Sequence, residues 1–191
     1  MRVISGKFKG KRLFAPKGDR VRPTTDRVKE TLFNILFSKG YEGEISVLDL
    51  FCGTGSLGIE ALSRGATTCV SVDIDKESCA LTQKNLAHVG ATTELFRADY
   101  KVALKNLEGR SFDVIFIDPP FKAHIEHDVV TRIMAHNILA EKGVIVIEHD
   151  KSNPLKGLEC ASFNLLREDR VLGNTVLTFL ERAQAEVNHV T

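Results

Sequence analysis

At 191 residues and 43% hydrophobic content, the chain can bury one well-formed core but not two full-size ones. It has no run of about 18 apolar residues, no apolar leader after Met1, and no C-x-x-C spacing among Cys52, Cys69, Cys79 and Cys160, which argues against a membrane span, an export signal, a disulfide framework and a cysteine zinc site. The net charge of +1 hides an asymmetry, because residues 1–30 hold ten Lys or Arg against three acidic residues while the remainder is net −6. A soluble cytoplasmic protein with a basic arm on a mildly acidic body is therefore expected. Such an arm suits a polyanion, with an ordinary solvated face as the alternative.

In chain order, the first fifteen residues alternate loosely through Gly6 and Gly10 and predict a short basic hairpin. After Gly18, the segment Arg22-Pro23-Thr24-Thr25-Asp26 disfavours helix before the proline and offers Thr or Asp as a cap for a helix after it. Val28, Leu32, Ile35 and Leu36 then fall on one face of an amphipathic helix that ends near Gly40. From residue 45 short apolar runs alternate with helical stretches. Strands are expected at 45–51, 68–73, 92–97, 112–117 and 143–148, and helices near 56–64, 76–88, 100–107 and 124–138. Two further strands, 162–171 and 174–181, flank Gly173 and Asn174 and read as a hairpin. The prediction is α/β: a seven-stranded, mostly parallel sheet of Rossmann-like type ending in an antiparallel pair. A basic extension at 1–40 precedes the main domain at 41–183, and the polar end 184–191 is expected to fray.

The first strand runs into Asp49-Leu50-Phe51-Cys52-Gly53-Thr54-Gly55-Ser56-Leu57-Gly58. Glycines there let backbone approach a ligand closely. The G-x-G-x-x-G spacing alone also fits a dinucleotide site. Asp49 shifts the reading toward a cationic ligand such as a sulfonium amino acid, since a pyrophosphate is better served by bare amides. Asp73 ends the second strand 20 residues after Gly53, where a carboxylate can grip a ribose. Asp75 reads as a helix cap, with ribose binding as its alternative. Asp99, after the third strand, is placed to accept a hydrogen bond from an adenine amino group. Any one of these carboxylates could be a cap; three at successive strand ends lie where open α/β sheets bind ligands.

The fourth strand leads into Asp118-Pro119-Pro120-Phe121. Two prolines fix the backbone and remove two N–H donors. Asp118 and the Pro119 carbonyl can then accept both hydrogens of an exocyclic amine while Phe121 stacks on its ring. Such a nitrogen, conjugated into its ring, must pyramidalise before it attacks a methyl group. Acceptors placed at the developing N–H geometry favour that change and can take the lost proton.

Together, the glycine loop, the acidic strand ends and Asp118-Pro119-Pro120-Phe121 resemble class I methyltransferases acting on amino nitrogens. The N-terminal text narrows the likeness. Arg2-Val3-Ile4-Ser5-Gly6-Lys7-Phe8-Lys9-Gly10-Lys11-Arg12-Leu13 and Arg22-Pro23-Thr24-Thr25-Asp26-Arg27-Val28 are similar to the RsmD family of bacterial small-subunit ribosomal RNA guanine-N2 methyltransferases, over roughly residues 1 to 181. The resemblance implies S-adenosylmethionine as cofactor, held by Asp49, Phe51, Gly53, Gly55, Gly58, Asp73 and Asp99. It implies a target amine at Asp118 to Phe121 and a 16S RNA or assembled-particle substrate; the chain is expected to act as a monomer. Where members often carry glutamate this chain has Asp73. Arg2, Lys7, Lys9, Lys11, Arg12, Arg20, Arg22 and Arg27 are the expected RNA contacts.

His124, Glu126, His127 and Asp128 could be drawn as a metal cluster, but H-x-x-H brings at most two ligands together on a helix, and no metal is expected. Glu148-His149-Asp150, after the fifth strand, reads as polar lining near the pocket. An NAD-dependent oxidoreductase would explain the loop but not the double proline. A non-catalytic RNA-binding module would explain the arm but not the carboxylates. Adenine N6 in DNA or RNA is the alternative target.

Overall fold

A computed structural model describes residues 1–16, 25–120, 123–153, 155, 158 and 160–183. Gly18, Arg20, Arg22, Pro23, Thr24, Phe121 and the tail 184–191, all drawn into the expectations above, lie outside the described residues. Helix α1 (Asp26–Ser38) starts at Thr25, whose side chain accepts from the Val28 N–H. Then come β1 (Ser46–Asp49), α2 (Ser56–Ser63), β2 (Thr68–Asp73), α3 (Lys76–Val89), β3 (Glu94–Arg97), α4 (Tyr100–Asn106), β4 (Phe112–Ile117), α5 (Glu126–Ala135), β5 (Leu139–Asp150), a 3-10 turn at Cys160–Phe163, β6 (Leu165–Leu172) and β7 (Thr175–Arg182).

The strands form one sheet in the order β3-β2-β1-β4-β5-β7-β6. β1 to β5 pair in parallel, and β7 runs antiparallel to both β5 and β6. Parallel strands covered on both faces need apolar residues at odd and even positions alike. Val47, Val114, Phe116 and Val146 accordingly pack with α1 and α2 on one face, and Leu48, Ile115, Ile117 and Ile145 with α4 and α5 on the other. The chain order reverses between β1 and β4, so the loops after these two strands leave toward opposite faces and open a crevice.

The basic arm is built into this body. Val3, Phe8 and Leu13 are buried against Ile59 of α2 and Leu86 and Val89 of α3, and the hairpin closes with an antiparallel bridge between Arg2 and Arg12. Gly6 sits at φ +81°, where a Cβ would stand 1.8 Å from the Ser63 carbonyl oxygen. Only glycine permits that approach. Glu60, fully buried, accepts from the N–H groups of Ile4 (2.8 Å) and Ser5 (3.0 Å). Lys29, also fully buried, lies 3.4 Å from Glu60 and donates to the Arg2 carbonyl at 2.6 Å. Burial pulls its ammonium below the ordinary lysine value, against the pull of Glu60. One charge counted with the arm is thus consumed inside the fold.

Several boundaries differ from expectation. β5 runs from 139 to 150 instead of 143 to 148, because it pairs on both sides, with β4 and β7. Glu148 and His149 are therefore buried strand residues, and His149 bonds Thr178 of β7 (Nε2 to Oγ1, 2.9 Å) rather than following the strand as pocket lining. β3 begins at 94, not 92. Helix α5 begins at 126, and His124 precedes it at φ +47°, so the two histidines do not share the helix. Among the described residues no group of three His, Cys, Asp or Glu could hold a metal, and no helix is long and apolar enough to cross a membrane.

Candidate active site

Backbone bonds carry β1 past its formal end: Leu50 N–H donates to Phe116 (3.1 Å) and Cys52 N–H to Val72 (2.9 Å). The loop then turns through two glycines with left-handed backbone, Gly53 at φ +53° and Gly55 at φ +74°. Gly58 meets another demand, since a Cβ there would stand 2.8 Å from Cys69 Sγ and 3.3 Å from Asp49 Oδ2. Its absence lets α2 lie close on β2.

Asp49 is 1% exposed, and its Oδ2 accepts from Gly58 N–H at 3.0 Å. Burial pushes its carboxyl up to about 7; the Gly58 bond opposes this, and the nearby Asp73 charge adds to it. Asp73, half-exposed, braces the loop as well: Oδ2 accepts from Gly53 N–H and Oδ1 from Asp75 N–H, both at 2.9 Å. Each oxygen retains acceptor capacity for a ligand hydroxyl. Asp75 caps α3 through Ser78 N–H (2.7 Å), as its sequence position indicates. Asp99 caps α4 through Lys101 N–H (2.8 Å) at the same edge of the sheet.

Three residues that sequence reading passed over complete the cradle. The Thr82 hydroxyl donates to the Gly53 carbonyl and the Asn85 amide to the Thr54 carbonyl, each at 2.9 Å, so α3 holds the loop from beneath. Both are fully buried polar residues three apart on α3, and that spacing amid apolar neighbours was the available signal. Tyr100 opens α4 with its ring centroid 5.8 Å from that of Phe51. Its hydroxyl donates to Asp128 Oδ2 (2.7 Å), which also accepts from Arg132 Nε (2.8 Å). Burial, then Asp128, pushes the Tyr100 phenol up to about 12.

β4 delivers Asp118, Pro119 and Pro120 directly beside the glycine loop, since β1 and β4 are neighbours with Asp49 opposite Phe116. Asp118 is half-buried, Pro119 buried and Pro120 exposed. The Pro120 carbonyl accepts from Ala123 N–H at 2.8 Å. Beyond it, buried Glu126 accepts from Asn153 Nδ2 (2.9 Å), tying the start of α5 to the loop after β5.

Of the expected RNA contacts that are described, Arg2, Lys7, Lys9, Lys11 and Arg12 lie exposed on the hairpin and Arg27 lies exposed on α1. Two are partly engaged. Lys11 Nζ donates to the Val89 carbonyl at the end of α3 (3.0 Å), and Arg2 Nε lies 3.4 Å from Asp26.

A family model described as conserved hypothetical protein 95 matches residues 1–181. The Ribosomal RNA small subunit methyltransferase D of Haemophilus influenzae is 35% identical over 172 residues, covering 88% of this chain and 87% of that protein. The protein of the same name from Escherichia coli K12 is 32% identical over 187 residues, covering 97% and 92%. A solved structure of a hypothetical protein from Thermus thermophilus superposes with a TM-score of 0.81 at 28% identity, covering 95% of this chain and 99% of that one.

Proposed function

Because the chain belongs to the RsmD family of methyltransferases, we propose that it transfers a methyl group from S-adenosylmethionine to the exocyclic N2 amine of a guanine in small-subunit (16S) ribosomal RNA. The observation that carries this reading is the adjacency of two different devices across the β1/β4 crevice: the braced glycine loop with Asp49 and Asp73, and the rigid Asp118-Pro119-Pro120 turn.

The residues fit the cofactor. Apart from its two chain neighbours, a Cβ on Gly53 would meet nothing closer than the Phe51 carbonyl oxygen at 4.0 Å, so the loop presents open space where an aminoacyl group can lie. Asp73 offers two oxygens to a ribose, Phe51 and Asp99 border the adenine side, and the buried Asp49 carboxyl ionises more readily beside a cation. When bound, S-adenosylmethionine supplies a methyl group activated by its sulfonium, so the transfer needs no metal.

The chain's own contribution is placement and proton handling. Asp118 and the Pro119 carbonyl accept the two amine hydrogens and favour a pyramidal nitrogen whose lone pair faces the methyl group; Phe121 stacks on the base. Asp118 then takes the proton released on N-methylation. Orientation at attack distance supplies much of the remaining rate. The arm docks the RNA while the guanine is flipped outward. In this reading the enzyme acts as a monomer in the cytoplasm, on RNA or an assembled small subunit.

The same acceptors suit adenine N6, so the base assignment rests on the family. Small-subunit RNA should be incubated with the purified protein and labelled S-adenosylmethionine, then digested to nucleosides. Label in N2-methylguanosine is expected; label in N6-methyladenosine would overturn the base assignment and leave the amine chemistry standing.

A further inference from the structure

Phe14 ends the arm differently from its apolar neighbours. Phe8 and Leu13 are buried, whereas Phe14 is 40% exposed. It stands among basic side chains, two of them cationic. Lys84 Nζ lies 3.9 Å from its ring centroid, the exposed His88 imidazole lies 5.1 Å away at 62°, and exposed Arg12 is two residues back. The ring is also anchored. Its backbone N–H donates to Asn85 Oδ1 (2.7 Å) and its carbonyl accepts from Asn85 Nδ2 (3.1 Å), and the same fully buried amide holds Thr54 of the glycine loop.

An exposed aromatic ring on a fixed backbone with long cationic side chains around it suits an unpaired nucleotide. A base stacks on the ring without regard to sequence, and the cations neutralise the phosphate. A duplex offers no free base face, and an acidic peptide would use the cations but not the ring. We propose that Phe14, Lys84 and His88 form a subsite for one unpaired nucleotide of the RNA substrate outside the catalytic pocket, with its base stacked on Phe14 and its phosphate held by Lys84 and His88. This rests on the reading of the protein as an RNA methyltransferase. Lys84 now covers a face of the ring; on binding, the base takes that place and the ammonium swings to the phosphate. Through Asn85 the subsite is fixed relative to the glycine loop, which sets the distance between the held nucleotide and the reacting one.

The chain contains no tryptophan, so a Phe14→Trp variant carries one unambiguous fluorophore. Binding of a fluorescein-labelled, mixed-sequence single-stranded RNA 12-mer should be measured by anisotropy for wild type, Phe14→Ala, Phe14→Trp and Lys84→Ala. Emission of the Phe14→Trp variant is followed with unlabelled RNA, and S-adenosylmethionine binding by calorimetry. Phe14→Ala should weaken RNA binding at least about fivefold with an unchanged salt slope. Phe14→Trp should retain affinity and be quenched by RNA, and Lys84→Ala should lower the salt slope by about 0.7. Cofactor affinity should stay constant throughout. Wild type that binds and methylates RNA, with Phe14→Ala indistinguishable from it and the Phe14→Trp emission unmoved, overturns the subsite alone. Wild type that neither binds nor methylates RNA overturns the functional reading and the subsite together.

Discussion

Asp49 gives the pocket a pH dependence whose sign and size derive from its burial. Its carboxyl is raised from 3.8 to about 7, so the ligand-free protein holds it about 90% protonated at pH 6 and about 10% protonated at pH 8. A cationic cofactor favours the ionised form. If the bound state keeps Asp49 ionised across this range, affinity for S-adenosylmethionine falls about tenfold from pH 8 to pH 6, or about 1.4 kcal/mol. Stability of the ligand-free fold moves the other way. A folded value above the unfolded one makes protonation favour the native state, so this contribution is complete below pH 3.8 and is lost as pH rises toward about 7. Acidification from pH 8 to pH 6 should thus stabilise the empty protein by about 1.4 kcal/mol while weakening the ligand. Calorimetric titrations and urea denaturation at both pH values, for wild type and Asp49→Asn, measure the two effects. The amide oxygen of Asn can still accept from Gly58 N–H, so the variant should fold and lose both dependences. A flat wild-type profile, or one that Asp49→Asn reproduces, would refute the assignment of the charge to Asp49.

Asp118→Ala should retain cofactor binding by calorimetry and lose about 10²-fold or more in single-turnover methyl transfer, since its acceptor acts mainly as the nitrogen pyramidalises; a near-normal rate would remove the residue from the chemistry. Replacing Lys9, Lys11 and Arg12 together with alanine should flatten the salt dependence of RNA binding by a slope of about 2. An unchanged slope would make the arm a solvated face. Lys29→Met leaves Glu60 buried with Arg64 and two backbone donors as its remaining partners, and should cost roughly 3 kcal/mol in urea denaturation. A loss below about 0.5 kcal/mol would mean that those partners satisfy Glu60 alone.

Local chemistry along the chain is enough to express many of these features. Strand and helix periods, the glycine spacing, aspartates at three strand ends and the double proline after the fourth strand are short-range patterns. They placed Asp49, Asp73, Asp99 and Asp118 at one edge of a mostly parallel sheet, because strands that run in parallel bring their carboxyl ends together. Tertiary structure decided which charges reach solvent and which residues hold others in place. Lys29 and Glu60 are 31 positions apart and meet as a buried pair. Asn85 joins Phe14 to Thr54 across 71 and 31 positions. Asp49 titrates near 7 only because helix α2 and its neighbouring strands seal it from water. His149 belongs to a strand because β7 returns to pair beside it. Burial and pairing of this kind depend on segments far apart in the chain, and no local pattern encodes the distance between them.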